Sequence, residues 1–210
     1  MSQLNIPAFW QQSIVELSAA DPIMASIIAS YEGETLVGKG NAFLTLARAI
    51  VGQQISVKAA DAVWFRLEAG LDSHITPEQI LSKTEEELRG FGLSRQKALY
   101  LHDLSRYFND QQYTIKNWSH MSDDELISSL TSIRGIGRWT AEMFLIFHLL
   151  RPDVFPVDDI GLQKAVWKHY FAGEKQPLKI LRNHGELWRP WRSVATWYLW
   201  RSLDPVAVAY

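Results

Sequence analysis

Two glycines interrupt the apolar periodicity of the chain within the stretch 130–144, which reads LTSIRGIGRWTAEMF. Apolar residues recur at helical spacing before and after Gly135-Ile136-Gly137, so the pattern predicts a tight turn between two helices. Glycine adopts backbone angles that other residues avoid, and it lets an outside group approach the main chain. The N-terminus of the helix after the turn is a natural site for a phosphate. We therefore expect this turn to touch the substrate, although a single Gly-x-Gly alone would favour a plain turn between packed helices.

Helix signals dominate the rest of the chain, and neither an alternating strand pattern nor an Asn-Gly hairpin is present. The segments 84–87 (TEEE) and 122–125 (SDDE) fit the capping box, in which a hydroxyl and a carboxylate satisfy each other's free backbone donors. Asp21-Pro22 opens a helix that places Ile23, Ile27 and Ile28 on one side. Further helices are predicted at 43–51, from 56 onward, and at 138–150, 160–171 and 188–203. The sequence therefore predicts an all-α protein.

One stretch loosely repeats the layout of the Gly-Ile-Gly turn. Residues 88–101 (LRGFGLSRQKALYL) also read as helix, tight turn and helix. Two helices joined by a glycine turn are common enough to explain this match without a shared role.

Composition excludes several classes of protein and of site. A net charge of −2 argues against a protein that coats nucleic acid nonspecifically. From residue 164 onward, however, eight basic residues stand against three acidic ones, which is compatible either with docking on DNA or with a solvated helical surface. The absence of cysteine excludes disulfides, thiolate zinc sites and a cysteine-held iron–sulfur cluster. Because no membrane-length apolar run or export signal is present, we expect a cytoplasmic protein that does not bind membranes and that associates with the nucleoid in a bacterial source.

Two neighbouring carboxylates stand at the start of the helix predicted at 160–171. Asp158 and Asp159 follow Pro156-Val157, and either could simply cap the helix. Capping accounts well for one aspartate and less well for two. A negative charge is favoured at a helix N-terminus, and a carboxylate held there is suited to standing beside a developing positive charge. The pair is therefore a candidate catalytic site.

Four stretches carry a resemblance to a known family: IVGQQISVKAA (50–60), GRWTAEMF (137–144), FPVDDIGLQKA (155–165) and WRPWRSVATWYLWR (188–201). They resemble conserved blocks of the helix–hairpin–helix (HhH-GPD) DNA glycosylase superfamily, and are most similar to those of the bacterial DNA-3-methyladenine glycosylase II group. The resemblance implies one glycosylase unit over 1–210, built from two packed helical lobes. The central lobe with the hairpin would span about 42–155, and the second lobe 1–41 plus 156–210. A cleft for DNA and the extruded base is expected between them.

The resemblance makes Asp159 the catalytic residue and leaves Asp158 to cap or orient. An alkylated purine such as 3-methyladenine or 7-methylguanine carries positive charge, so it leaves as a neutral base without being protonated. One carboxylate can then stabilise the oxocarbenium-like sugar and position water, without the acid and nucleophile pair of ordinary glycosidases. Relatives that also cut the strand carry a lysine where this chain has Trp139. The resemblance therefore implies a monofunctional N-glycosylase without lyase activity.

The resemblance also implies the residues that meet the substrate. Trp139, Met143 and Trp200 match the base pocket, where an indole face would attract a cationic base. Met143 replaces a tyrosine of the best-known relatives. The loop Gln53-Gln54-Ile55 matches the segment that fills the gap left by base extrusion, although a polar helix–helix turn is the alternative from the residues alone. The expected contacts of the hairpin with DNA come from Gly135, Ile136, Gly137, Arg138 and Thr140.

No cofactor is required by this chemistry, and no iron–sulfur cluster is expected. The main-chain carbonyls of Thr131, Ile133 and Ile136 match positions where similar hairpins hold a monovalent cation such as Na⁺ or K⁺. The expected partner is double-stranded DNA that contains a damaged base, and the chain is expected to act as a monomer.

Two other functions stay open from the sequence. A superfamily enzyme for oxidised or mismatched bases is one, although the absence of the lysine and of cysteines argues against its lyase and iron–sulfur branches. A non-catalytic hairpin module that binds distorted DNA is the other, and it would have no need of Asp159. A small-molecule hydrolase built on Asp158 and Asp159 lacks a convincing partner base.

Overall fold

The structure is a computed structural model that describes residues 6–38, 40–72, 74–110 and 118–203. Within these ranges the regular elements are helices, and no strand occurs, so the all-α prediction is confirmed. Short 3₁₀ helices occupy Trp118–His120 and Glu186–Trp188. The α-helices are α1 (Trp10–Ala20), α2 (Pro22–Ser30), α3 (Ala42–Gly52), α4 (Val57–Gly70), α5 (Pro77–Leu81), α6 (Glu85–Gly90), α7 (Arg95–Asp110), α8 (Asp123–Thr131), α9 (Arg138–Phe147), α10 (Ile160–Tyr170), α11 (Leu178–Gly185) and α12 (Arg192–Arg201).

Packing divides the chain into two compact units. Residues 1–39 and 145–210 form the first unit, and residues 40–144 form the second. The lobes predicted from the sequence placed these divisions near 41 and 155. In the described part of the chain, no helix combines the length and the apolar character that spanning a bilayer requires.

The first unit packs α1, α2, α10 and α12 around large aromatic side chains. Trp10, Trp188 and Tyr198 are each almost completely buried, and Trp10 meets the ring of Tyr198 at 5.7 Å. On α2 the core residue is Met24, while Ile23 is 40% exposed. Of the residues that the sequence grouped on one side, Ile27 and Ile28 are buried and Ile23 is not, because the buried stripe of this short helix runs through Met24, Ile27 and Ile28.

Asp21 joins three elements of the first unit. Its Oδ1 caps α2 by accepting from the N–H groups of Ile23 and Met24, and its Oδ2 accepts from Tyr170 Oη at 2.7 Å and Trp188 Nε1 at 2.9 Å. Burial disfavours the charged carboxylate, but these donors outweigh burial and lower the pKa of Asp21. The ionised group therefore holds α2, α10 and the 3₁₀ helix at Glu186–Trp188 together.

In the second unit, α3, α5 and α6 pack against α7, and α4 packs against α3. Two of its short helices, α6 and α8, begin where the sequence predicts. Thr84 at α6 and Ser122 at α8 both form complete capping boxes, with Glu87 and Glu125 as the returning carboxylates. Both predictions are confirmed. Local chemistry therefore fixes where these two helices start.

The C-terminal helices differ from the prediction. The helix expected over 188–203 is shorter and covers only α12, because Pro190 lacks an N–H group and separates it from the preceding 3₁₀ helix. Helix α11 was not predicted at all. Its N-cap residue, Pro177, makes no side-chain cap. A helix without a capping signal is hard to recognise from sequence alone.

We expect Asp21→Asn to destabilise the protein by about 3 kcal/mol at pH 7, because two buried donors lose their anionic acceptor. The pKa of Asp21 is lower in the folded than in the unfolded state. The Asp21 carboxylate therefore stabilises the fold fully at a pH above its unfolded-state pKa, and this stabilisation is lost as the pH drops below about 4. The difference between variant and wild type should therefore shrink from pH 7 to pH 3. Urea denaturation at both pH values measures it, with the exposed Asp124→Asn as control. A difference that stays constant with pH would contradict the assignment.

Candidate active site

The two glycines of the hairpin have different surroundings and different reasons to be glycine. Gly135 has a φ of +91°, and a Cβ built on it would overlap the ring of Tyr100 from α7. A Cβ on Gly137 would meet no atom within 4 Å. Ile136 between them is buried, with 4% exposed, and its N–H donates to the Ile133 carbonyl at 3.0 Å. The predicted tight turn is therefore present, with one glycine required by the fold and the other facing open space.

Gly137 opens α9 without a side chain that could cap it. The N–H of Ala141 bonds to the Gly137 carbonyl at 3.0 Å, so the helical ladder begins there. Trp139 is 38% exposed, and Arg138 is largely exposed while its Nε donates to Glu142 at 2.9 Å. An anion could thus approach the start of α9 without displacing a capping side chain.

Thr140 and Met143 lie on the inner side of α9. Thr140 is 8% exposed and Met143 is 4% exposed. Thr140 therefore offers little surface for a DNA contact, and Met143 offers little surface to a base unless α9 or its neighbours move.

The loop predicted to fill the gap left by base extrusion is fixed to the hairpin. Gln53 Nε2 donates to the main-chain carbonyl of Gly135 at 2.8 Å. Gln54 is exposed and holds a φ of +58°, in the left-handed region that few non-glycine residues adopt. Ile55 is 40% exposed. Gln53 thus anchors the loop to the hairpin, while Gln54 and Ile55 are the solvent-accessible residues of the loop.

Helix α7 supports both the loop and the hairpin, which sequence reasoning missed. Lys97 Nζ donates to the Val51 carbonyl at 2.7 Å near the end of α3, and burial lowers the pKa of Lys97. Tyr100, one turn further along, lies against Gly135 and accepts a hydrogen bond from Gln96. No local sequence signal marks these residues, because their partners lie far away in the chain.

Asp159 is the N-cap of α10. Of the two roles expected for Asp158, to cap or to orient, the capping role was therefore wrong, and the orienting role stays a prediction. The Oδ1 of Asp159 accepts from the Leu162 N–H at 2.6 Å and from Trp200 Nε1 at 2.8 Å. Asp158 is exposed, and its carboxylate lies 3.9 Å from the guanidinium of Arg182. An N-cap side chain accepts from the N–H three residues ahead of it, and the helix begins at Ile160, so Asp159 and not Asp158 is in the capping position.

Trp200 is a core residue that also holds the carboxylate. It is 5% exposed and stacks on Phe147, with ring centroids 5.9 Å apart and planes 14° apart. Gly161 leaves just enough room for this pairing. A Cβ on Gly161 would lie 3.1 Å from Oδ1 of Asp159 and 3.4 Å from Cδ1 of Trp200. Two helices, α10 and α12, thus fix the position of one carboxylate oxygen.

The predicted site residues fall into two groups, one in each unit. Asp159 and Trp200 belong to the first unit, and the loop, the hairpin, Trp139 and Met143 to the second. Among the residues that the structure describes, no cluster of three or more His, Asp or Glu side chains could hold a metal ion. The expected cation at the hairpin, which would use main-chain oxygens, stays a prediction.

Comparison with known proteins places the chain in a family. A family model described as "HhH-GPD superfamily base excision DNA repair protein" matches residues 47–190. The chain belongs to this superfamily. DNA-3-methyladenine glycosylase 1 of Schizosaccharomyces pombe is 33% identical over 183 residues, which cover 85% of this chain and 80% of that protein.

Solved HhH-GPD structures share the fold. The DNA-3-methyladenine glycosidase of Bacillus halodurans matches with a TM-score of 0.83 and 35% identity, over 90% of this chain and 88% of that one. The S. pombe 3-methyladenine DNA glycosylase Mag1, in complex with abasic DNA, matches with a TM-score of 0.73 and 28% identity, over 95% and 100% of the two chains. The chain spans only 61% of the length of DNA-3-methyladenine glycosylase 2 of Escherichia coli.

The two hairpin glycines should respond differently to alanine. Gly135→Ala should destabilise the protein by about 1–3 kcal/mol, because the added methyl group forces a strained φ and overlaps Tyr100. Gly137→Ala should leave stability within about 1 kcal/mol of wild type. Thermal unfolding followed by circular dichroism measures both. Equal losses in the two variants would show that the glycines are not separated in this way.

Proposed function

We propose that this chain is a monofunctional DNA glycosylase that hydrolyses the N-glycosidic bond of alkylated purines in duplex DNA. The observation that carries the proposal is the Asp159 carboxylate, held on one oxygen by a helix N-terminus and by the indole of Trp200. Membership of a base excision repair superfamily supports it. So do the names of the relatives, which are glycosylases of 3-methyladenine.

The chemistry follows from the charge of the substrate. A purine alkylated at N3 or N7 is already cationic, so the enzyme need not supply a proton to the departing base. What remains is to stabilise positive charge on the sugar and to bring water to it. Asp159, fixed by two N–H donors, is the group proposed for both tasks. Asp158 is exposed and forms no second fixed carboxylate, so an acid and nucleophile pair is not supported.

The substrate nucleotide must leave the helix before this carboxylate can act on it. Extrusion costs a few kcal/mol, and the gap in the stack needs a filler. Gln54 and Ile55 are the accessible residues of a loop anchored to the hairpin, and we assign the filling role to them. The amide of Gln54 could also hydrogen-bond the orphaned base.

The hairpin is the proposed binding site for the phosphate backbone of the DNA. The open start of α9 at Gly137 suits a phosphate, and such a contact positions the protein without reading sequence. The stretch 88–101 offers a useful contrast. There Ser94 stands before α7 and caps it, with its Oγ accepting from the Lys97 N–H at 3.2 Å. A helix whose first N–H groups are already capped has fewer free donors for a phosphate, so we assign the phosphate contact to the Gly137 hairpin.

Discrimination of damaged bases is assigned to aromatic faces. Trp139 is the exposed aromatic side chain among the proposed pocket residues, and an indole face attracts a cationic base by about 0.5–2 kcal/mol. Met143 and Trp200 are proposed as the buried part of the pocket. Because Trp139 occupies the position of the lyase lysine, no Schiff base should form, and borohydride should trap no covalent DNA complex.

The remaining proposals concern assembly and ions. We propose that the chain acts as a monomer on damaged duplex DNA. We also propose that a monovalent cation binds the carbonyls of Thr131, Ile133 and Ile136. The Ile133 carbonyl already accepts from Ile136 N–H, but a carbonyl oxygen has a second lone pair.

Asp159→Asn should abolish most base release while the protein stays folded. Asparagine is an equally good N-cap, so the bonds from Leu162 and Trp200 can persist without the charge. We expect release of 3-methyladenine and 7-methylguanine from methylated duplex to fall by about 100-fold or more, with duplex binding retained. Chromatography of the freed bases measures the rate, and Asp158→Asn is the matched control that should stay near wild type. If both variants and wild type release equally little while binding DNA, the chain is a non-catalytic binding module.

Gly161→Ala should separate stability from activity. Alanine favours the helix by about 1 kcal/mol, but its methyl group presses on Asp159 and Trp200 and shifts the carboxylate. We expect near-unchanged thermal stability and a loss of about tenfold or more in the single-turnover rate. Gly90→Ala is the control, because a Cβ there meets nothing within 4 Å. Full activity in Gly161→Ala would show that the carboxylate has no need of this space.

A further inference from the structure

Two arginines share one carboxylate beside the hairpin. Asp103 and Arg106 are one turn apart on α7, and Arg134 directly precedes Gly135. The Oδ1 of Asp103 accepts from Arg106 Nη1 at 2.9 Å, and its Oδ2 accepts from Arg134 Nε at 2.6 Å. Together with Tyr107, Ser132 and Ile133, these side chains line a concave surface of the second unit.

The charges of this cluster do not balance. Two guanidinium groups meet one carboxylate, which leaves one positive charge on the concave surface. The side chain of Asp103 is 16% exposed, while those of Arg106 and Arg134 are 58% and 68% exposed. The negative group is thus covered and the positive groups are presented to solvent. An exposed ion pair contributes only about 0–1 kcal/mol to folding, so stability alone gives this arrangement little value.

The hydroxyl groups on this surface are already engaged. Ser132 Oγ donates to the Ser129 carbonyl at 2.7 Å, and Tyr107 Oη lies 2.6 Å from Ser129 Oγ. The donors that remain for a ligand are therefore guanidinium N–H groups. Arg134 uses one of its five donors on Asp103, and its planar group can meet a phosphate through two parallel hydrogen bonds. The surface suits a phosphate better than a neutral polar ligand.

We propose that Arg106 and Arg134, which share Asp103 as their carboxylate partner, bind a phosphate of the DNA strand next to the one proposed to bind at Gly137. We name this group the arginine clamp. The proposal rests on the proposed function, because it extends the DNA contact of the same hairpin. Arg134 and Gly137 are three residues apart, so their main chains are separated by at most about 10 Å. Successive charges of one strand advance by about 3.4 Å along the duplex, and a neighbouring phosphate therefore lies within reach of a long arginine side chain.

The salt dependence of binding tests the clamp directly. Affinity falls as salt rises, and each phosphate that a protein neutralises adds about 0.9 to the magnitude of the slope of log affinity against log salt concentration, here called the salt slope. We compare the full wild-type chain and Arg134→Gln on a duplex that contains a tetrahydrofuran abasic analogue. The variant should have a salt slope smaller by about 0.9. Between 50 and 200 mM NaCl, the factor by which its affinity falls should therefore be about one third of the wild-type factor. Fluorescence anisotropy of the labelled duplex measures both.

Asp103→Asn gives a prediction of opposite sign. Removing the carboxylate releases both arginines from their shared partner, so affinity at low salt should rise by about threefold and the slope should not fall. A cluster with a purely structural role would instead lose stability without any gain in affinity. Tighter binding by Asp103→Asn therefore supports the clamp, and weaker or unchanged binding overturns it.

A second cluster of the same unit supplies the matched control. Arg89 and Arg95 both approach Glu85, at 3.8 and 3.3 Å, and are exposed. Arg95 lies about 12 Å further back along α7 than Asp103. Arg89→Gln should leave the salt slope unchanged. An equal fall in slope for Arg89→Gln and Arg134→Gln would reflect net charge alone and would overturn the clamp.

Base release separates this proposal from the proposed function. Arg89→Gln, which lies outside the clamp, should keep the wild-type single-turnover rate on methylated duplex. If wild type binds duplex but frees no alkylated base, the enzymatic proposal fails while the slopes still decide on the clamp. If wild type does not bind duplex at all, both proposals fail. An unchanged slope in Arg134→Gln with a lowered melting temperature shows a purely structural contact.

Discussion

A single carboxylate oxygen has both a structural and a proposed chemical role in this protein. Oδ1 of Asp159 closes the first turn of α10 through Leu162 and receives the indole N–H of Trp200 from α12. Capping ensures that the side chain is present and correctly placed whenever the helix is folded. The contact with Trp200 then links its position to the aromatic core of the first unit, where Phe147 stacks on the indole. The proposed catalytic group therefore needs no flexible loop to deliver it, which favours a fixed electrostatic environment for the sugar.

The two hairpin-like stretches show how few residues separate the turn proposed to bind DNA from one with a purely structural role. Gly92 and Gly135 both have positive φ, at +97° and +91°, and each is followed by a buried aliphatic residue and then by a helix. The difference lies two positions later. Ser94 caps its own helix, whereas Gly137 has no side chain and faces open space. The first arrangement is complete in itself, and the second is suited to receive an outside anion.

The parts of the molecule that sequence predicted are those that depend on neighbours along the chain. Both capping boxes, the Gly-Ile-Gly turn and a cap at the Asp-Asp pair arise from residues within three or four positions of one another. The resemblance that led to Asp159 likewise rests on short conserved stretches. The contacts that sequence reasoning missed depend on residues far apart in the chain. Gln53 meets Gly135 across 82 positions, and Trp200 meets Asp159 across 41. The same limit applies to Tyr100, because contacts of this kind are set by packing and leave no periodic or capping signal.

The bond from Gln53 to Gly135 has a mechanical consequence for the proposed glycosylase, which would have to find damaged bases among long stretches of intact DNA. It joins the residues proposed to probe the base stack to the turn proposed to hold the backbone, and α7 stiffens both through Lys97 and Tyr100. A probing side chain on a flexible loop would bend away when it met an intact base pair, and the pair would stay closed. On a rigid loop, the same collision pushes on the base pair, and weakly stacked pairs open first. Rigidity in this small assembly would thus convert ordinary thermal motion along the duplex into a test of local base-pair strength.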